Sequence, residues 1–269
     1  MSMEIFKESV KKAFGSYKMN FVSFFVGAFV LLLFPLIVMG LYTYALYADI
    51  LSFTMFVVIT AVALIGVILL MPLLYGLAYQ GVKGTRSPDV AASDIFFAFK
   101  SGDHFIRSLG FGAIALTLGV IVFIIAQGIL YVFSLSPAHL DWLSFNIIIA
   151  LALLVLVIFM YPLAIYVMDA PKGVKYSFSE ASGIMKSYSG GTIVALIFAT
   201  VLNWISFLIP VAVVCGYLDF LGGSIAYPEE LVAIVTLILL ILTLPFTAVF
   251  LAYMVKDTRP TIHDTAEEI

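Results

Sequence analysis

Residues 51–82 read LSFTMFVVITAVALIGVILLMPLLYGLAYQGV, and no Asp, Glu, Lys, Arg or His interrupts them. A helix needs about 20 consecutive apolar residues to cross the hydrocarbon of a bilayer, and this run exceeds that length. Five other runs are of the same kind: Met19–Ala48, Ser108–Ala138, Trp142–Met168, Ser187–Leu218 and Leu231–Val255. The pattern predicts an all-α integral membrane protein with six transmembrane helices. A closed barrel is excluded, because its strands would alternate polar with apolar residues. Composition agrees with this reading. The 269-residue chain is 64% hydrophobic and 11% charged, with a mean hydropathy of +1.18, whereas a soluble domain carries about 25% charged residues. Too little polar surface remains to cover a globule in water.

The cations sort to one side of this plan. Lys7, Lys11, Lys12 and Lys18 precede the first run; Lys83, Arg86, Lys100 and Arg107 follow the second. Lys172, Lys175 and Lys186 follow the fourth run, and Lys256 and Arg259 follow the sixth, which accounts for all 13 Lys and Arg. The other three loops carry only Asp49, His139, Asp141, Asp219, Glu229 and Glu230. Basic loops stay on the cytoplasmic side, so both termini are expected in the cytoplasm. The first run is too long for the h-region of a signal peptide.

The chain also reads as three repeated units, at about residues 3–84, 90–173 and 176–257. Ser16, Ser101 and Ser187 stand before the odd spans, and Gly40, Gly128 and Gly216 near their outer ends. Pro72, Pro162 and Pro245 lie in the last third of the even spans, followed 10 or 11 residues later by Lys83, Lys172 and Lys256. Residues 1–256 thus form a single membrane domain, and 257–269 a short acidic tail. Proline inside a helix removes one backbone donor, so bends are expected in the even spans, and at Pro35 and Pro210. Such bends serve packing or shape a cavity.

Short amphipathic segments precede the odd spans. Phe6, Val10, Phe14 and Tyr17 recur at helical spacing; Ser93 is a candidate N-cap for a segment presenting Phe96 and Phe99, with Gly102 ending it; Phe178, Ala181, Met185 and Tyr188 follow the same scheme. These read as interfacial helices that steer the chain into the next span. Their cations are also candidate lipid-headgroup contacts: Lys11, Lys12, Lys18, Lys100, Arg107, Lys172, Lys175 and Lys186. A juxtamembrane cation contributes about 1 kcal/mol near an anionic surface.

Recognisable catalytic chemistry is missing from the sequence. There is no phosphate-binding loop, no HExxH, no GxSxG and no GxGxxG. His104, His139 and His263 lie too far apart in the plan to share a metal, and the lone Cys215 reads as a small apolar packing residue. No span carries a central charge, which argues against proton-coupled transport. Gln127, Asn146 and Asn203 are the conspicuous polar groups inside the spans, either glue between helices or contacts for a solute. The pairs Ala115/Gly119 and Ala195/Ala199 suit close helix contact. Asp169, at the end of the fourth span and close to Lys172, is expected to make a surface ion pair or a helix-end contact rather than a site.

The strings PLLYGLAYQGVKG…SDIFFAFKSG and AIYVMDAPKG…FSEASGIMKSYSGG resemble prokaryotic six-span proteins of unknown function. These are related to the membrane domain of some bacterial glycerophosphodiester phosphodiesterases. The matching positions are Gly81, Lys83, Phe96, Phe99, Lys100, Asp169, Glu180 and Ala181. The resemblance implies a helical membrane module; the soluble catalytic domain of those enzymes has no counterpart here, so no activity carries over. Mitochondrial carriers share a threefold six-span plan, but their acidic signature follows prolines in odd spans, and homology is rejected on that ground.

The sequence therefore predicts a non-enzymatic module of a prokaryotic plasma membrane with a structural, partner-binding or lipid-associated role. Its expected partners are membrane lipids and a membrane protein or a second copy of itself, with no nucleic acid, metal or cofactor. The alternative is a passive transporter or channel for a small solute. An enzyme acting on lipid near Asp169 is a third reading.

Overall fold

The computed structural model describes residues 3–47, 53–132, 137–169, 172–187, 189–221 and 228–258, although not every side chain within them. In chain order they form α1 (Met3–Met19), α2 (Phe21–Tyr47), α3 (Phe53–Gly84), a 3-10 helix (Ala92–Lys100), α4 (Gly102–Val132), α5 (Pro137–Met168), α6 (Gly173–Ser187), α7 (Ser189–Leu221) and α8 (Pro228–Thr258). Among the described residues there is no strand. Gly190–Pro210 and Ile234–Thr258 are each long and apolar enough to cross a bilayer. Glu4–Met19 and Phe21–Leu33 together make a third such stretch, broken by a bend of 88°. The protein is thus an all-helical membrane protein with two or three such stretches among its described residues.

Three long helices, α3, α5 and α8, pack against one another at the centre. Each carries an internal proline, Pro72, Pro162 and Pro245 respectively, and all three prolines are buried. Along α8, Ala248, Val249, Phe250, Leu251, Ala252, Met254 and Val255 are buried, as expected of a helix enclosed on all sides. Around this core, α2 lies on α3 and α8, α4 on α3 and α5, and α7 on α5 and α8. The outward faces are apolar. On α7, Ile193, Ile197, Val201, Ile205 and Ile209 form one exposed stripe at four-residue spacing. Contiguous apolar surface of this extent is unsuited to water and suited to lipid.

The short helices lie against the ends of the central ones: α1 on α8, the 3-10 helix on α3, and α6 on α5. Their apolar residues divide between the bundle and the outside, with Phe178, Ala181 and Met185 of α6 facing inward. In α1 the buried residues are Ser9, Ala13 and Ser16, flanked by half-buried Phe6, Val10 and Tyr17, whereas Phe14 is exposed. In the 3-10 helix Asp94, Ile95 and Ala98 are buried, and Phe96 and Phe99 point outward. Side chains three apart eclipse in this tighter helix, so the two phenylalanines share a face, but it is the outer one. Its N-cap is Ala91 rather than Ser93, and the Asp94 carboxylate accepts the Ala91 amide at 2.9 Å. The α6 helix starts at Gly173, whose φ of +82° suits a residue without a Cβ.

Close backbone approach fixes two of these contacts. A Cβ on Gly76 would come within 1.8 Å of the Ile95 carbonyl oxygen, and one on Gly81 within 2.7 Å of the Ala248 carbonyl oxygen. Backbone cannot yield as a side chain can, so an added methyl separates the elements, at about 1–3 kcal/mol. Gly110, in α4, faces open space. Gly76→Ala is expected to lower the thermal unfolding midpoint in detergent, while Gly110→Ala leaves it unchanged or raises it through the better helix propensity of alanine.

Candidate functional site

The densest polar cluster among the described residues stands where the chain turns between long and short helices. The connection after α3 exposes backbone groups that helices would otherwise satisfy, and side chains from several elements meet them. Ser16 Oγ donates to the Gly84 carbonyl at 2.9 Å, and Tyr253 Oη does so at 3.3 Å. Lys256 Nζ donates to the Thr85 carbonyl at 2.7 Å. The Val90 amide donates to Asn20 Oδ1 at 3.1 Å. Gln80, fully buried, donates through Nε2 to the carbonyls of Ala91 at 3.1 Å and Ala92 at 3.4 Å. Its Oε1 has no hydrogen-bond partner and lies against Gly27, where a Cβ would come within 2.4 Å of it.

Ion pairs fasten the short helices to the central ones. Lys83 Nζ lies 2.7 Å from Asp94 Oδ2, and Lys100 stands 4.0 Å from the other oxygen. At the opposite end of the chain, Ser9 Oγ donates to Asp257 Oδ2 at 2.8 Å, and Lys12 reaches Asp257 at 3.2 Å and Glu8 at 3.0 Å. The Lys12 ammonium is held above its ordinary range, chiefly by the hydrogen bond to Glu8 and then by Asp257. Burial pushes the Tyr17 phenol up to about 12, and its hydroxyl donates to the Leu242 carbonyl at 3.0 Å.

The predicted headgroup contacts divide accordingly. Lys11, Lys18, Lys100, Lys175 and Lys186 are exposed, and all stand on the three short helices. Lys12 is turned back into the α1–α8 clasp. Arg107 pairs with Asp103 of the same helix at 2.9 Å. Lys172 is exposed, with Nζ 3.4 Å from Tyr176 Oη and 4.7 Å from the centre of that ring. Within the bundle, Asn203 is buried and donates to Thr247 Oγ1 at 2.8 Å and to the Ala199 carbonyl at 2.7 Å. Ser206 adds a contact to Thr243 at 3.2 Å, so a polar seam joins α7 to α8. Gln127, Asn146 and Cys215 lie outside the described side chains, and the tail from 259 lies outside the described residues. Among the described residues no cluster of three or more His, Cys, Asp or Glu is placed to hold a metal.

Sequence reasoning missed Gln80, Asp94 and Asn20. Gln80 had a signal: it lies inside the apolar run 51–82, four residues from both Gly76 and Gly84, on a face where small residues let other backbone come close. Asn20 carries no such mark, because the Val90 amide it accepts from lies 70 positions away. The partners of Asp94 are local, Ala91 three residues and Lys83 eleven residues before it, and the choice of Ser93 as the cap passed over them. Comparison with protein-family models, curated proteins and solved structures finds no match.

The Lys83–Asp94 pair is the sharpest electrostatic commitment here, since the Asp94 side chain keeps only 6% of its exposure. Removing the cation leaves a buried carboxylate short of a partner. Lys83→Ala is expected to cost roughly 2–3 kcal/mol, below the cost for a fully buried pair because Lys83 is partly solvated. Lys100→Ala is expected to cost under about 1 kcal/mol. Chemical denaturation in a mild detergent, followed by helical circular dichroism, compares the two.

Proposed function

We propose that the chain is a non-enzymatic, lipid-associated module that crosses a prokaryotic plasma membrane six times, with both termini in the cytoplasm. The observation that carries this reading is the placement of the exposed lysines. Lys11, Lys18, Lys100, Lys175 and Lys186 all stand on short helices at one end of a bundle whose flanks are apolar. A cation at that level meets lipid phosphates while the stripes below it meet acyl chains. The exposed stripe of α2 runs from Val22 to Tyr44, about 33 Å at 1.5 Å per residue, which matches the hydrocarbon thickness.

Three repeated units are part of the proposal. Each contact between a short helix and a central helix, between a central and an outer helix, and among the central helices recurs three times, in cyclic order, with α1 closing the ring onto α8. The kinship with the membrane domain of glycerophosphodiester phosphodiesterases belongs to the same proposal and rests on the strings that include Gly81, Lys83 and Asp169. Passive passage of a small solute is the second reading. In its favour, Asn203 Oδ1, Trp204 Nε1 and Thr236 Oγ1 are buried without partners. Against it, the Asn203 amide and Ser206 are already engaged across the α7–α8 seam.

Two measurements test the proposal. In a Cys215→Ser background, cysteines at positions 49, 139 and 224 are expected to react with an impermeant maleimide on intact cells; labelling only after lysis contradicts the orientation. In native mass spectrometry from mixed micelles, the protein is expected to retain phosphatidylglycerol over phosphatidylcholine. Changing Lys11, Lys18, Lys100 and Lys175 together to Glu is expected to abolish most of that preference, at about 1 kcal/mol per cation.

A further inference from the structure

Where each short helix meets its central helix and the next outer helix, the bundle has a corner, and the three corners are filled differently. At α8, α1 and α2, the Tyr17 ring stacks on Phe24 at 5.8 Å and meets Phe246 edge-on at 5.9 Å. At α3, the 3-10 helix and α4, Phe97 stacks on Tyr79 at 3.7 Å and meets His104 at 4.7 Å. At α5, α6 and α7 the described rings, Tyr161 and Phe178, stand in the walls of the gap. The large ring of α6, Phe178, packs instead towards α4, on Phe111 at 5.5 Å and Phe159 at 5.9 Å.

The third corner is therefore an open cleft of about 430 Å³, lined by Ile158 and Pro162 of α5, Ser182, Met185 and Lys186 of α6, and Leu196 of α7. Its volume is that of a ligand cleft. Its walls are apolar, and the one cation stands on the short helix at the rim. On α5 the lining runs from Ile158 to Pro162, ten to six residues before the end of the helix at Met168, so this wall lies about 9–15 Å from that end, within one leaflet. An apolar slot of that depth with a single cation at its mouth complements an amphiphile with an anionic head. We propose that this corner holds one acyl chain of an anionic glycerophospholipid, with its phosphate on Lys186 and the Ser182 hydroxyl beside the glycerol. The inference rests on the lipid-associated reading above and assigns that association one specific site.

The test uses the full chain, delipidated in mild detergent and titrated with dioleoyl phosphatidylglycerol or dioleoyl phosphatidylcholine, with native mass spectrometry counting bound lipids. Both substituted positions are exposed, and helical content with a single gel-filtration peak verifies folding. Wild-type protein is expected to hold one phosphatidylglycerol more tightly than any further lipid. Ser182→Trp fills the slot and is expected to weaken that first lipid about tenfold or more, near 1.4 kcal/mol. Lys186→Glu keeps the slot but is expected to abolish the preference for phosphatidylglycerol, about fivefold for one cation. First-lipid binding unchanged in both variants overturns the proposal. So does a wild-type dimer that Ser182→Trp splits into monomers, because the occupant is then a second copy. An anionic preference that survives both variants, yet falls with the four-lysine variant, sinks the cleft alone. No preference in the wild type sinks the wider reading.

Discussion

Hydrocarbon satisfies no hydrogen bond, so a chain that stops being helical at the edge of a membrane must bring its own partners. The connection between α3 and the 3-10 helix shows how this chain does it. Carbonyls at Gly84, Thr85, Ala91 and Ala92 and amides at Val90 and Ala91 are met by Ser16, Tyr253, Lys256, Gln80, Asn20 and Asp94. Those side chains come from α1 and its bend, α3, the 3-10 helix and α8. A single irregular segment thus ties the beginning, middle and end of the chain together. An unpaired buried backbone group costs several kcal/mol in lipid, so the segment can dock only when the rest of the bundle is in place.

The glycines belong to the same constraint. Gln80 reaches the Ala91 and Ala92 carbonyls only if the 3-10 helix lies directly on α3, and Gly76 permits that approach. Lys256 reaches Thr85 only if α8 lies directly on α3, and Gly81 permits that. Removing a side chain at one position thereby sets the hydrogen bonding of another. This gives a physical reason for a glycine followed by a cation at the end of α3, where Gly81 precedes Lys83.

Much of this plan could be read from the sequence, and the failures have a common cause. Apolar runs announced the long helices, and charge placement announced the cationic end that Lys11, Lys100 and Lys186 occupy. The short helices were read as interfacial, which left open which apolar residues meet the bundle and which meet lipid at Phe14, Phe96 and Phe99. In water, an apolar face on an amphipathic helix turns inward. At a bilayer edge it has two apolar media to choose from, and periodicity does not say which. These three phenylalanines face outward, while Ser9, Ser16 and Asp94 turn in to meet partners. Ser16 was noticed as a recurring marker, but its acceptor lies 68 positions away at Gly84, and only the fold brings the two together. Lys11 and Lys12 are adjacent and alike in sequence. Both stay exposed, but the 100° step between them on α1 places Lys12 against Asp257.

The same choice of medium explains how one corner of the bundle can stay open. An apolar gap in a soluble protein forfeits dispersion contacts on one side and destabilises the fold. In a bilayer the solvent is itself chain-like and as apolar as leucine, so a cleft opening sideways between α5 and α7 is refilled at little hydrophobic cost. Selection for stability alone then has no strong reason to plug it, and the rings at Tyr17 and Phe97 mark corners where a plug also does other work. Tyr17 closes a hydrogen bond to the Leu242 carbonyl, and Phe97, on the same 3-10 helix as Asp94, stacks on Tyr79 of α3, the helix that carries Lys83. The third corner carries neither duty. On the proposal above, what separates it from an indifferent gap is charge: Lys186 at the rim would favour one class of headgroup over another, and selectivity is something a packing defect does not have.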